Sequence, residues 1–310
     1  KRQLVTTFDA LMNTMAPIEK MWENVLTLEQ GQLLDLKEIQ AALIRMGYEK
    51  EYQVQTMGQF SVRGGILDVF PLTEENPIRI ELWGDEIDTI RYFDCESQKS
   101  IENIDRVSIY PAAELVLSDE EKAGGIEKLK AEAKRVSDKL RKQMKTEEAH
   151  RVTVMADELT EEWGELSMYA GMDAFLSYFF DERVGLLDYF KPSDSLIFFD
   201  ELTRCAEQGK LTETEFSESM KQRLAMGYIL PGQMNGLFTE KEIVAKLEKY
   251  SCIALGALDN KANGLHQLGS YGIHCQSVSP HNNSFELLIK DLKRYKKNGY
   301  RVILLSLIHI

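Results

Sequence analysis

A chain of 310 residues has room for roughly two or three units, each able to bury a core. Its 44% hydrophobic and 28% charged residues are those of an ordinary globular protein. The net charge of -13 argues against broad contact with nucleic-acid phosphates, which takes clustered Lys and Arg, and leaves only a local basic patch open. Four separated cysteines (Cys95, Cys205, Cys252, Cys275) form no CxxC, the pattern of a reduced, cytoplasmic protein. No apolar run approaches the ~20 residues of a membrane span, and no signal peptide is recognisable. The chain opens with Lys-Arg-Gln instead of Met and ends in the apolar run VILLSLIHI. It therefore reads as a fragment of a longer protein whose last residues need not be native.

In chain order, residues from about Val5 to Met21 form a short mixed helical segment. Asp35 is a good N-cap, with Glu38 three residues on, and Leu36, Ile39, Leu43 and Met46 follow at helical spacing up to Gly47. A strand-rich block runs from about Tyr52 to Tyr110, with turns at Gly64-Gly65, Thr73–Pro77 and Gly84-Asp85. Helix followed by strands describes one small α+β module. Ser118 and Glu121 then open a charged helix expected to reach about Glu148. Its stripe of Ile126, Leu129, Ala133, Val136 and Leu140 suits a surface helix packed by one side better than a coiled coil.

From Asp157 to Tyr189 the chain is rich in aromatics (Trp163, Tyr169, Phe175, Tyr178, Phe179, Phe180), expected mostly as core. A buried strand over Ser195–Phe199, helical segments around Thr212–Met226 and Thr239–Glu248, and a strand over Cys252–Leu255 follow. A helix over Ser284–Lys297 and a strand over Val302–Leu305 complete the pattern. Alternating strands and helices in this half predict an α/β layer with a parallel sheet.

Several constellations invite a chemical reading and do not sustain it. Leu196–Glu201 looks like the strand-plus-Asp-Glu element of P-loop ATPases, but its partner GxxxxGK[ST] has no match, since Gly209-Lys210 is followed by Leu211. His274, Cys275 and His281 match no zinc spacing and lack a fourth ligand. Asp85, Glu86 and Asp88 sit in and after a turn with no His or Lys around them. No nucleophile–base signature is present.

The stretch Gly58–Asp94 differs. Ile78, Ile80 and Leu82 alternate with Arg79, Glu81 and Trp83, so the pleat sends the two sets to opposite faces. The aliphatic set faces the core, leaving a tryptophan beside an arginine on the polar face, the composition of a protein-binding hot spot. Arg63 points away from the core side of Phe60 and Val62 and precedes the Gly64-Gly65 turn. Arg63, Arg79 and Trp83 could thus converge, with Arg91 nearby. The plainer reading has Trp83 covering a sheet edge and the arginines pairing with Glu81 and Asp68.

GQFSVRGGILDVFP, then IRIELWGDEIDTIRYFD and SQKSIE, closely resembles the UvrB-homology module of the bacterial transcription-repair coupling factors (Mfd). UvrB carries a more distant version. The resemblance is strong from about Ala10 to Leu115 and weaker, though collinear, to Leu305. It implies a multidomain α/β and α+β chain: a degenerate helicase-like domain (1A/1B) carrying an inserted small α+β UvrA-binding domain. Residues 1–24 would be the end of a 1A-like segment, 25–112 the UvrA-binding domain 2, 113–282 a 1B-like region, and 283–310 a truncated return to 1A.

The function implied is recruitment of UvrA to RNA polymerase stalled at a lesion, through Arg63, Arg79 and Trp83. The family often has Phe at the Trp83 position. The ATP- and Mg-dependent translocase motor, and the domains that meet RNA polymerase and DNA, would lie C-terminal to this chain. This portion would need no cofactor and catalyse nothing. UvrB's DNA-clamping hairpin has no matching run. The alternatives are a nucleotide-binding helicase-like lobe or DNA binding through the 1B-like region.

Overall fold

Alternation, turn chemistry and helix caps produce most of the architecture. The computed structural model describes residues 3–165, 171–257, 265–273, 280 and 284–303. The chain forms two units, 1–266 and 267–310.

The first unit begins with α1 (Phe8–Met12), β1 (Thr14–Met15) and α2 (Ile18–Glu23). The strand module follows: β2 (Leu26–Glu29), α3 (Leu36–Arg45), β3 (Glu49–Lys50), β4 (Gln59–Arg63), β5 (Ile66–Val69), β6 (Ile78–Trp83), β7 (Glu86–Phe93), β8 (Ser100–Ile104) and β9 (Arg106–Ile109). Six of these strands form one sheet in the order β3-β4-β5-β6-β7-β8, while β2 pairs with β9. The β3–β4 pair is parallel and the remaining neighbours are antiparallel.

Helix α3 starts where its cap predicts. The Asp35 carboxylate accepts from the Lys37 and Glu38 amides at 2.7 and 3.4 Å, and Gly47, with φ of 90°, ends it. Its buried Ile39 and Leu43 join Phe60, Leu67, Ile78, Ile80, Ile87, Ile90 and Ile109 in one core. Each such side chain contributes about 1.5–3 kcal/mol by leaving water. The core fixes register, because a one-residue slip of β6 would exchange Ile80 for Arg79.

Two tight turns set the ends of the hairpins. Arg63 pairs with Ile66 across Gly64-Gly65, and Trp83 with Glu86 across Gly84-Asp85. Gly64 and Gly84 have φ of 60° and 66°, which favours glycine.

Next come α4 (Asp119–Lys142), α5 (Thr146–Glu165), α6 (Leu176–Phe179) and β10 (Val184–Gly185). The Ser118–Glu121 capping box is present, but α4 ends at Lys142, short of the expected Glu148. The chain reverses there, with Met144 at φ of 62°, and α5 packs back on α4. The predicted apolar stripe therefore faces its own neighbour: Leu129, Ala133 and Leu140 share a core with Val152, Trp163, Phe175, Tyr178 and Phe179. Phe180 is partly buried against that core. Tyr169 lies outside the described residues.

The unit closes with β11 (Leu196–Asp200), α7 (Leu202–Ala225), α8 (Glu240–Leu247) and β12 (Ser251–Leu255). Strands β11 and β12 pair in parallel, as the alternating pattern predicts. The expectation that β11 is buried needs correction. Phe199 is buried, but Leu196 and Phe198 are 53% and 60% exposed, because among the described residues β11 and β12 form a two-stranded ribbon covered on one side, which leaves the alternate residues open. Helix α7 also starts earlier than expected. Phe8, Leu11 and Met12 share a core with Leu187, Phe199, Phe238, Ile243 and Leu247, so the N-terminal segment packs on elements far along the chain. In α7, Gly209 lets the helix approach Phe8, since an added Cβ would lie 2.5 Å from that ring.

The second unit contains α9 (Phe285–Lys297), capped by Ser284, with Gly299 (φ 81°) beyond its end. Val302 and Ile303 form no strand, and the remainder of the expected Val302–Leu305 strand lies outside the described residues. So does the 282/283 boundary.

Candidate functional site

Register places Asp68 of β5 directly opposite Arg79 of β6, and Arg79 opposite Arg91 of β7. Two positive residues and one negative are thus lined up across adjacent strands before any side chain is considered. The side chains resolve this into two clusters. Arg79 clasps Asp68 with two parallel bonds, Nε to Oδ1 at 2.7 Å and Nη2 to Oδ2 at 2.8 Å. Arg63 donates from Nη2 to the same Oδ2 at 2.9 Å. Arg91 instead pairs with Glu81, which also accepts from Thr89 Oγ1 at 3.1 Å.

Asp68 is 1% exposed, a burial that a carboxylate tolerates only when its lone pairs are filled by charged donors. Arg79 is itself largely enclosed, its side chain 13% exposed, with Cζ stacked 4.3 Å from the Phe93 ring centroid. Its Nη2 makes a further bond of 2.8 Å to Gln98 Oε1, and Gln98 is held by its own amide donating to the Cys95 carbonyl at 2.8 Å. Hydrogen bonding to Asp68 lifts the Arg79 pKa further above its already high value. The Arg91 guanidinium holds Glu81 below the ordinary carboxylate range. Arg63 is more open, at 38%.

Trp83 stands apart. It is 85% exposed, and among the described residues no interaction joins it to either arginine. It therefore does not cover a sheet edge, the plainer expectation for it, whereas the pairing expected for the arginines is present. Trp83 helps line an open cleft of about 570 Å³, together with Glu29, Glu86, Asp88, Asp105 and Arg106. A bond from Leu82 N to Gly65 O, 2.8 Å, places the tip of the β4–β5 hairpin beside the last residues of β6. Arg63 and Trp83 thus occupy the same end of the sheet. The structure brings the two arginines together through a shared carboxylate and sets Trp83 beside that end as an isolated aromatic surface.

Asp68, Gln98 and Phe93 complete the cluster. Asp68 has a sequence signal, an acid on the polar side of a strand, opposite an arginine. Phe93 and Gln98 have none: Gln98 reaches Arg79 only because the turn after β7 folds back, with Gln98 at φ of 58°.

Asp200 ends β11 with an exposed side chain, while Glu201, at φ of 55°, accepts from the Ala257 amide at 2.9 Å. No cluster of three potential metal ligands exists among the described residues, and His274, Cys275 and His281 lie outside them. Burial pushes the Cys95, Cys205 and Cys252 thiols up, away from the reactive thiolate. No helix among the described residues is long and apolar enough to cross a membrane.

Residues 26–115 match the UvrB interaction domain. The match spans β2 through β9, and the core residues Leu28 to Ile109 lie inside it. Along 98% of its length the chain is also similar to transcription-repair-coupling factors. It is 28% identical over 303 residues to that of Bacillus subtilis (strain 168), and 26% identical over 312 residues to that of Staphylococcus haemolyticus (strain JCSC1435). A third, from Staphylococcus epidermidis (strain ATCC 12228 / FDA PCI 1200), is 27% identical over 312 residues. The chain spans 25% of the length of each of these relatives. Arg63, Arg79 and Trp83 all fall within the UvrB interaction domain.

Proposed function

We propose that this chain is the recruiting portion of a transcription-repair coupling factor, binding UvrA to bring nucleotide excision repair to stalled RNA polymerase. The contact residues are Arg63, Arg79 and Trp83. The observation that carries this reading is a cationic pair fixed on one buried carboxylate, with an 85% exposed tryptophan at the same end of the sheet, inside a UvrB interaction domain. A fixed guanidinium and a rigid aromatic are the side chains that most often dominate binding energy.

The remainder of the chain serves as scaffold in this reading, and the portion is non-catalytic. In this reading residues 1–24 are the end of a 1A-like segment and 113–282 a 1B-like region, and the buried cluster joining α1 to β11, α7 and α8 packs the one on the other. ATP and Mg chemistry, with contacts to RNA polymerase and DNA, would belong to other parts of a protein of the relatives' length. Titrating UvrA into the wild-type chain and into Trp83→Ala tests the proposal. Loss of an exposed aromatic anchor should weaken binding by about 2 kcal/mol, or ~30-fold, with no change in melting. Undetectable binding to the wild-type chain would overturn it.

A further inference from the structure

The buried carboxylate between the two arginines has a consequence for recognition itself. Asp68 takes three charged hydrogen bonds through two oxygens: Nε and Nη2 of Arg79, and Nη2 of Arg63. Two guanidiniums against one carboxylate leave the cluster one positive charge in excess. That excess is not evenly presented. Arg79 is pinned by Asp68, Gln98 and the Phe93 ring, whereas Arg63 gives a single described hydrogen bond and keeps four of its five N–H donors open.

We infer that Asp68 is a positioning residue for partner recognition: anchored by Arg79, it holds Arg63 so that its open edge faces the partner as a preset fork. This rests on the reading of the face as the UvrA-binding site. An arginine on a strand end next to a Gly-Gly turn otherwise samples many rotamers, and ordering it would subtract from binding. The partner group suited to the open edge is a carboxylate, which a planar guanidinium engages with two parallel bonds.

The test is a double-mutant cycle on the full 310-residue chain. UvrA is titrated against wild type, Asp68→Asn, Arg63→Ala and the pair, with the melting temperature of each recorded. Asp68→Asn is expected to weaken UvrA binding about tenfold or more. In the Arg63→Ala background the same substitution should cost clearly less, only the part that acts through Arg79, because the share Asp68 exerts by holding Arg63 is already gone. Equal fold-losses in the two backgrounds would overturn the positioning role, since a general loosening of the sheet acts whether or not Arg63 is present.

If Asp68→Asn does not fold, Asp68→Glu replaces it, keeping the charge but moving the carboxylate by one methylene. The same pattern is expected, and wild-type affinity for Asp68→Glu would overturn the proposal. Unaltered binding by both Arg63→Ala and Trp83→Ala would instead remove the UvrA-binding face. Both variants keep Asp68, so the two failures are distinguishable.

Discussion

Asp68 and Asp200 each belong to a β-strand, and they could hardly be more differently placed. Asp68 lies inside a six-stranded sheet, almost wholly buried, with two arginines on its oxygens. Asp200 ends one strand of a two-stranded ribbon with its side chain exposed. In the sequence Asp200 is the more conspicuous, because Leu-Ile-Phe-Phe-Asp-Glu resembles an ATPase element, while Asp68 in Ile-Leu-Asp-Val stands out only as an acid on the polar side of a strand. Register and burial decide which carboxylate organises its surroundings. Neighbours across the sheet count for more than neighbours along the chain.

The sharpest way to break this contrast is to remove each carboxylate. Asp68→Ala leaves Arg79 enclosed without its counter-ion and should cost about 3–5 kcal/mol of stability. Asp200→Ala should stay within about 0.5 kcal/mol. Chemical denaturation of both variants gives the comparison, and equal losses would erase it. The next effect separates binding from stability inside the same sheet. Trp83→Ala should lower UvrA affinity by ~30-fold while leaving the denaturation midpoint in place.

A smaller effect concerns the turn that presents Trp83. Gly84 has φ of 66°, and Gly84→Ala should destabilise the module by about 1–2 kcal/mol. An unchanged midpoint would show that the turn relaxes without cost. The smallest concerns the second ion pair. Glu81 is held below its ordinary value of 4.5 by Arg91. A carboxyl depressed on folding adds stability that is fully present above pH 4.5 and is lost as the pH falls through the lower folded-state value. The pair is partly exposed, so its contribution should stay under ~1 kcal/mol. Glu81→Gln should therefore flatten stability against pH in that acid range only, and identical profiles for the two proteins would refute the coupling.

Much of the strand module could be read from the residues. Alternation in Ile78–Trp83 named the core face, Gly64-Gly65 and Gly84-Asp85 named the turns, and Asp35 named the start of α3. These features are local, and local chemistry decides them. The break after Lys142 was not readable, because the run Gln143–Glu148 contains no Gly or Pro and keeps helical composition. The exposure of Leu196 and Phe198 was not readable either, since an apolar run says nothing about how many layers cover it. At the candidate site, Arg63, Arg79 and Trp83 could be picked out from composition and resemblance. The enclosure of Arg79 by Gln98 and Phe93 depends on a backbone turn that no residue announces.

In the proposed function, one end of this sheet presents a held arginine and a free tryptophan to UvrA. The most direct measurement is the UvrA affinity of Arg63→Ala/Trp83→Ala beside wild type, with hydrogen exchange of β4 to β7 recorded on both. A loss of ~30-fold or more with unaltered protection of those strands is the predicted result. Wild-type affinity in a protein with the same protection would rule out this end of the sheet as the UvrA-binding face.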